Sequence, residues 1–277
     1  MTARPRKATS IRPLVLATMA SLALGLGACA GGSQQVTRQP EPLAESQDVE
    51  ALVRLADGLR EQGQLTTAIA LYQRAAGASG DAAELVLLGR ALAEAGADEL
   101  AAGAFRRALS REPENPDALL GLGTAYLSLG EIDRSIQYLE QLVDQGNGKD
   151  TVRYAALGAA LDIAGRHEKA VATYTAGLEQ MPGDLDLKSN LALSYAFYDR
   201  HVEAITLMRE VTDAFDAKRS HHRNMVLVLA LAGQDRDAVA TGRRLLGENE
   251  TRDVLAQAAS ARQLPAGADR ARAIGLS

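Results

Sequence analysis

The feature that most constrains the fold is a repeat of about 34 residues along the middle of the chain. A pair of neighbouring apolar or small residues recurs at spacings of 33, 34, 35, 34 and 34 residues, at Leu55-Ala56, Leu88-Gly89, Leu122-Gly123, Leu157-Gly158, Leu191-Ala192 and Met225-Val226. Seven residues after the second member of each pair lies Gly63, Gly96, Gly130, Gly165, Asp199 or Gly233. Self-similarity at a fixed period of this length predicts an architecture in which one structural unit is stacked on the next.

Each unit is predicted to form two helices joined by a tight turn, because a glycine can adopt the positive φ that ends one helix and lets the chain turn into the next. Five residues after the turn comes a small residue, expected where the two helices cross: Ala68, Ala101, Ser135, Ala170, Ala204 and Ala238. Four residues further comes a large apolar residue that fills the gap between units: Tyr72, Phe105, Leu139, Tyr174 and Met208. In the sixth unit Gly242 takes this place, which makes that unit the weakest match.

This spacing resembles the tetratricopeptide repeat over residues 49–248, in six units that start near residues 49, 82, 116, 151, 185 and 219. The resemblance implies an all-α fold, a superhelical solenoid of about six helix-turn-helix units. Residues 249–262 are expected to form a helix that caps the stack. Residues 263–277 contain Pro265, Gly267 and Gly275 and are expected to be a loose, flexible tail.

In a stack of this kind the first helix of each unit lines a concave face that binds segments of other proteins. Counting along these helices gives the predicted partner-groove residues, which are Val53, Val86, Arg90, Leu120, Thr124, Leu127, Val152, Ala155, Ala159, Leu193, Ala196, Arg223 and Leu227. The middle of this surface is small and apolar, which suits an amphipathic helix or an extended apolar segment. The alternative is that it packs against the C-terminal helix of the same chain. Some members of this family hold a partner's terminal carboxylate with paired Lys and Asn, and the predicted groove lacks such pairs.

The N-terminus carries four basic residues within its first twelve, followed by an apolar run at residues 14–26. This run has the length of a signal-peptide core and is shorter than a membrane-spanning helix. The sequence Leu26-Gly27-Ala28-Cys29 resembles a bacterial lipobox, which implies a lipoprotein signal peptide at residues 1–28 and an acylated Cys29. The alternative is an ordinary secretory signal with a chance cysteine. Residues 29–48 read as the acylated cysteine and a flexible tether, since Gly, Ser, Gln and Pro dominate them.

Composition excludes several classes of function. Cys29 is the only cysteine, so neither a disulfide nor a thiolate site is expected elsewhere in the mature chain. The full chain has 30 basic and 35 acidic residues, and loss of the signal would leave 26 against 35, a net charge of about −9. An acidic chain of this kind is a poor candidate for binding nucleic acid, which needs clustered Lys and Arg.

No pattern in the sequence predicts catalysis, a cofactor, a metal site or a small-molecule substrate. No Ser-His-Asp order, glycine-rich phosphate loop or HExxH motif is present. His221 and His222 are adjacent, so on a helix their side chains point about 100° apart and make a poor pair of metal ligands. These two residues and His167 are expected at surfaces or turns. We therefore expect a protein that is not an enzyme.

One stretch is more specific than the repeat. Residues 189–246 contain two successive Asn-(Leu/Met)-(Ala/Val)-Leu openings, at Asn190 and Asn224. Together with the lipobox, this stretch resembles the TadD lipoproteins of tight-adherence (Flp) pilus assembly. The resemblance implies a lipid-anchored protein on the periplasmic face of the outer membrane, which assists assembly of the pilus secretion machinery and has a secretin or another pilus-export component as partner. The alternative is a repeat lipoprotein that scaffolds cell-wall hydrolases or outer-membrane assembly.

Overall fold

The computed structural model describes residues 48–146 and 150–275, all of which belong to the compact unit Glu45–Ser277. These residues form fourteen α-helices and no β-strand. The helices are α1 Val49–Glu61, α2 Leu65–Ser79, α3 Ala82–Glu94, α4 Asp98–Arg111, α5 Pro116–Ser128, α6 Ile132–Asp144, α7 Val152–Ile163, α8 His167–Gln180, α9 Leu185–Phe197, α10 His201–Asp213, α11 Arg219–Leu231, α12 Asp235–Leu245, α13 Glu248–Arg262 and α14 Ala268–Ile274.

Helices α1 to α12 form six pairs, and each pair packs against the next. The second helix of a unit contacts the first helix of the following unit, and the first helices α3, α5, α7, α9 and α11 also contact each other in sequence. The buried apolar residues of the described chain form three clusters, each of which includes residues of more than one unit, as expected for a solenoid whose single units cannot bury their apolar faces alone. The predicted all-α superhelical solenoid of about six units plus a capping helix is confirmed.

The turn inside each unit contains a residue in the left-handed conformation, as predicted from the glycine spacing. At Gly165, for example, φ is 76°, and the N–H of the next residue, Arg166, donates to the carbonyl of Leu161 at 2.8 Å. The fifth unit has Asp199 at this place, with φ of 60°. Aspartate is one of the few residues other than glycine that tolerates this conformation, so the turn keeps its shape and presents a carboxylate.

The small residue in several first helices lies under the large residue of the second helix. A Cβ added at Gly89 would lie 2.6 Å from the ring of Phe105, and one at Gly158 would lie 2.3 Å from the ring of Tyr174. Both rings are fully buried. The glycines therefore set the distance at which the two helices of a unit can cross.

Helix α13 explains the misfit in the sixth unit. A Cβ added at Gly242 would lie 2.5 Å from Cγ2 of Thr251, a buried residue of α13. The missing bulk at this position therefore makes room for the next helix. Val254, Ala258 and Ala261 on α13 are buried, and this helix covers the end of the stack formed by α11 and α12.

The expectation of a loose tail over residues 263–277 is corrected by helix α14, which packs against α7, α9 and α13. Pro265 and Gly267, which suggested irregular chain, lie in the short turn between α13 and α14. Gly267 has φ of 102°, and its N–H donates to the carbonyl of Phe197 at 2.8 Å. Ala271 and Ile274 are buried, because their spacing of three places both on one face of the helix.

Candidate functional site

A groove of about 710 Å³ runs across the concave face of the central units. Its walls are formed by the first helices of units two to six, by Phe105 of α4 and by the end of α14. The lining residues are Arg90, Ala93, Phe105, Asp117, Leu120, Gly121, Thr124, Leu127, Ser128, Val152, Ala155, Ala156, Ala159, Ile163, Asn190, Leu193, Arg223, Asn224, Ile274 and Gly275. Most of this surface is aliphatic or contributed by small residues, so it offers apolar area to a partner segment.

Nine of the thirteen residues predicted for the groove lie in it. They are Arg90, Leu120, Thr124, Leu127, Val152, Ala155, Ala159, Leu193 and Arg223. The shared cause is the register of the first helices, in which residues three or four apart return to the same face. The structure thus brings together most of the predicted surface, and the role of these residues in binding stays a prediction.

The other four predicted residues lie outside the groove. Val86, Ala196 and Leu227 are buried, at 4%, 0% and 0% exposure, among residues of neighbouring helices. Val53 is partly buried against the apolar cluster of the first three units. Counting along a helix placed these residues on the concave face, whereas the structure packs them in or against the apolar clusters between helices.

Sequence reasoning missed two asparagines and the C-terminal residues of the groove. Asn190 and Asn224 line it at equivalent positions of units five and six. Nδ2 of Asn224 donates to Oγ of Ser189 at 3.0 Å, so it bridges the two units. The repetition of Asn at a spacing of 34 residues was the available signal. The groove therefore contains asparagine that was not predicted there, while no lysine is present among the described residues that line it.

The charged groups of the groove have partners within the protein. Arg90 forms a salt bridge of 2.7 Å with Asp117, which joins units two and three at one end. Nη2 of Arg223 donates to Oε1 of Gln257 in α13 at 2.6 Å. Two polar ends therefore flank an apolar middle, which is the arrangement that an amphipathic helix fits.

Helix α14 enters the groove from the turn of unit five. It begins beside Phe197, whose carbonyl accepts from Gly267, and it ends with Ile274 and Gly275 in the groove lining. The carbonyl of Ile274 accepts a hydrogen bond of 2.9 Å from Nε2 of Gln257. The alternative considered from the sequence placed the capping helix, predicted at residues 249–262, against the groove. In the structure no residue of α13 lines the groove, and the end of α14 covers part of it instead.

A buried polar cluster lies beneath the start of α14. Oγ of Ser194 donates to Oδ1 of Asp162 at 2.8 Å and lies 3.1 Å from Nδ1 of His167, and the hydroxyl of Tyr174 donates to Oδ2 of Asp162 at 3.2 Å. The ring of His167 stacks on Tyr198, with 3.7 Å between centroids. His167 is 8% exposed, so its expected surface position is wrong.

This cluster brings Asp, His and Ser together without the geometry of a nucleophilic relay. The carboxylate contacts the serine directly, whereas in a relay the histidine lies between them. Asp162 and Ser194 are fully buried, and neither lines the groove. Burial raises the pKa of Asp162, although hydrogen bonds from His167 and Ser194 oppose this in part. The cluster therefore joins units four and five and supports Tyr198 under the turn at Gly267.

His221 is also buried, contrary to its expected surface position. Its Nε2 lies 2.8 Å from Oδ1 of Asp186, and its Nδ1 accepts from the backbone N–H of Lys218 at 3.1 Å. The hydrogen bond from Lys218 is the main cause that lowers the pKa of Asp186. These contacts join the first helices of units five and six, so the histidine has a structural role.

Neither a metal cluster nor a membrane span is present in the described part of the chain. No three His, Cys, Asp or Glu residues within it are grouped so that they could hold a metal ion. None of the helices between residues 48 and 275 combines the length and the apolar character that crossing a bilayer requires. Cys29 and the predicted signal and tether lie outside the described residues.

Comparison with known proteins supports the repeat. Residues 53–110 and residues 99–161 each match a family model described as tetratricopeptide repeat. A solved structure of Pseudomonas aeruginosa pilF is 16% identical, with a TM-score of 0.59, and the match covers 76% of this chain and 98% of that one. A tetratricopeptide repeat protein from Parabacteroides merdae is 16% identical, with a TM-score of 0.65 and coverage of 81% and 90%.

A thermophilic TPR protein from Thermus thermophilus is 19% identical, with a TM-score of 0.56, and the match covers 65% of this chain and 98% of that one. At these identities the likeness shows the fold alone. No match to the sequence was found among curated proteins.

Proposed function

We propose that this chain of tetratricopeptide repeats is a non-enzymatic scaffold that holds a segment of a partner protein in its concave groove. Its place of action is the periplasmic face of the outer membrane, where acylated Cys29 anchors it. Its role is to assist assembly of the Flp pilus secretion machinery, with a secretin or another pilus-export component as the partner.

The observation that carries the binding role is the groove itself. Tetratricopeptide repeats generally mediate protein–protein interaction, and the matched family models place such repeats over residues 53–161. The groove is continuous over the first helices of five units, and its middle is formed by Leu120, Leu127, Val152, Ala155 and Ala159. Val152 is 53% exposed, so apolar surface is available there to a partner.

The proposed anchor rests on the sequence before the helices. An aliphatic residue, two small residues and the only cysteine of the chain follow an apolar run of signal-peptide length. Each buried methylene of an acyl chain contributes about 0.8 kcal/mol, so several chains hold a protein stably at a membrane where one does not. The residue after Cys29 is Ala30, which by the usual sorting pattern of lipoproteins supports the outer membrane.

The proposed pilus role rests on the resemblance over residues 189–246. The two asparagines that open its motifs, Asn190 and Asn224, both line the groove. The most specific part of the resemblance therefore coincides with the proposed binding surface.

The test is photo-crosslinking in cells from a benzophenone amino acid at Val152, with the captured protein identified by mass spectrometry. The matched control carries the benzophenone amino acid at position 202 instead. Val202 is 77% exposed on α10 and does not line the groove. Capture of a secretin or another pilus-export component from position 152, and not from 202, is the expected result. Capture of a cell-wall hydrolase or an outer-membrane assembly component from position 152 would instead support the alternative function.

A separate measurement tests the anchor. Replacing Cys29 with Ser should move the protein from the membrane fraction to the soluble periplasmic fraction and abolish labelling by a radioactive fatty acid. Continued labelling of the variant would contradict the lipoprotein assignment while leaving the groove proposal intact.

A further inference from the structure

Helix α14 is bound in the groove much as a short helical ligand would be. Its buried face consists of Ala271 and Ile274, which belong to the same apolar cluster as Ile163 and Leu193. Ala268 starts this face, and its Cβ lies 3.4 Å from the position that a Cβ on Gly165 would take. The face therefore has small residues where the backbones approach closely and one aliphatic residue where the groove opens.

A charged contact fixes the position of α14 along the groove. Nη1 of Arg270 lies 2.5 Å from Oδ1 of Asp199, the residue that replaces glycine in the turn of unit five. The arginine side chain is only 12% exposed, and its Nε also donates to the carbonyl of Leu264 at 3.2 Å. A helix bound at this end of the groove thus contacts an acidic group on the turn and packs against an apolar surface below it.

The attachment of α14 is local and short. The helix has seven residues, and residues 263–267 join it to α13. An isolated helix of this length is unstable in water, so α14 depends on the groove for its structure. The helix contacts α7, α9 and α13, and the pairings among α1 to α12 do not involve it.

The groove extends beyond α14. The helix ends at Ile274, whereas Leu120, Leu127 and Val152 continue the apolar lining toward unit two. A longer helix in the same place would keep the contacts that α14 makes and add those that α14 leaves unused. Such a helix would bind the groove more strongly than α14 does, and this difference in affinity is what displacement requires.

We propose that the partner segment of this protein is an amphipathic helix with the pattern of α14, and that it binds by displacing α14. This pattern has two small residues three positions apart, an aliphatic residue three positions further, and an arginine directly before the second small residue. The inference rests on the proposed function, because it specifies the ligand of the same groove.

The test uses a synthetic peptide of residues 263–277 that carries a benzophenone at position 273, a solvent-exposed position of α14. The peptide is added to three forms of the chain, all with Cys29→Ser. The first has no other change. The second carries Ile274→Glu, which weakens the chain's own α14. The third carries Gly165→Cys and Ala268→Cys, a pair close enough for a disulfide that locks α14 in place.

We expect groove labelling of the Ile274→Glu protein to exceed that of the first form by about 10- to 100-fold, as the loss of one buried aliphatic side chain implies. The oxidised cysteine pair should show no groove labelling, and reduction of the same sample should restore it. This comparison needs no second protein and is unaffected by any strain from the cysteine at position 165. A peptide with Ile274→Glu should not compete.

Equal groove labelling of the oxidised and reduced forms, or labelling outside α7, α9 and α13, the helices that contact α14, would overturn the inference. The proposed function has its own readout, which is capture from Val152. Capture from Val152 that is unchanged by the lock would mean that the groove binds a partner beside α14. Displacement of α14 by the peptide, with no capture from Val152, would support the docking chemistry and contradict the partner role.

Discussion

The helical glycines allow a test in which one chemical change has opposite effects at two sites. Gly158 and Gly103 both lie inside helices, α7 and α4 respectively. A Cβ at Gly158 would lie 2.3 Å from Cε1 of Tyr174, whereas a Cβ at Gly103 would have no neighbour within 4 Å. We predict that Gly158→Ala destabilises the protein and that Gly103→Ala stabilises it.

The magnitudes follow from three contributions. Alanine is more favourable than glycine in a helix interior by about 1 kcal/mol, which acts at both sites. At Gly158 the ring of Tyr174 is fully buried, and overpacking of such a site costs about 1–3 kcal/mol. Displacing the ring also weakens the hydrogen bond of its hydroxyl to Asp162, which contributes about 1 kcal/mol. We therefore expect Gly158→Ala to lower the free energy of unfolding by roughly 1–3 kcal/mol and Gly103→Ala to raise it by up to about 1 kcal/mol.

Urea unfolding followed by far-ultraviolet circular dichroism measures both effects in the chain that lacks residues 1–29. The double variant adds a check, because sites in different units without shared contacts should give additive changes. A Gly158→Ala protein as stable as its parent would refute the close crossing of α7 and α8. Equal destabilisation by Gly158→Ala and Gly103→Ala would show that the space around the added Cβ does not determine the change in stability at either site.

Three further predictions concern other junctions of the stack. Gly242→Ala should lower the free energy of unfolding by about 1–3 kcal/mol, because its Cβ would press on Thr251 and move the capping helix; protection from proteolysis in α13 should fall as well. Asp162→Asn should alter the pH dependence of stability. Since burial raises the folded-state pKa of Asp162, wild-type stability relative to the variant should be greatest below the ordinary pKa of 3.8 and fall as pH rises through the raised value, measured by thermal unfolding. Asp186→Asn should show the opposite trend, because the pKa of Asp186 is lowered: the contribution of this carboxylate is present above pH 3.8 and is lost as pH falls through the folded-state value. At neutral pH this variant should cost about 1 kcal/mol, since the hydrogen bond with His221 is weakened, and a loss that is independent of pH would contradict the assignment.

The stack and the register of its first helices could be predicted because they depend on local spacing. The period fixes the length of each unit, and the glycine and small residues fix the turn and the crossing. Nine groove residues followed from this register. The same counting misplaced Ala196 and Leu227, because one step along a helix changes the direction of a side chain by about 100°, and the repeat pattern does not say which edge of the concave face the next helix covers.

The buried polar contacts and α14 could not be predicted in the same way. Asp162 meets Ser194 across 32 residues, and His221 meets Asp186 across 35 residues, so neither pairing produces a local pattern. In α14 the signal was two small residues and Ile274 within a seven-residue helix, after a segment with Pro265 and Gly267. Propensity alone gives such a helix little stability, and its position depends on distant contacts such as that of Arg270 with Asp199, 71 residues earlier.

The short connection between α13 and α14 determines which partners could compete for the groove. A segment joined by five residues is present near its site at an effective concentration in the millimolar range, so a dilute free peptide competes poorly with it. A partner held at the same membrane would have a comparable advantage. If Cys29 is acylated as proposed, the groove stays close to the membrane surface. Under the proposed function, displacement of α14 would then be favoured where both proteins are anchored and disfavoured in the open periplasm.

Releasing the protein by Cys29→Ser should therefore reduce capture from Val152 even though the groove is unchanged, and adding Ile274→Glu to that variant should restore part of the capture.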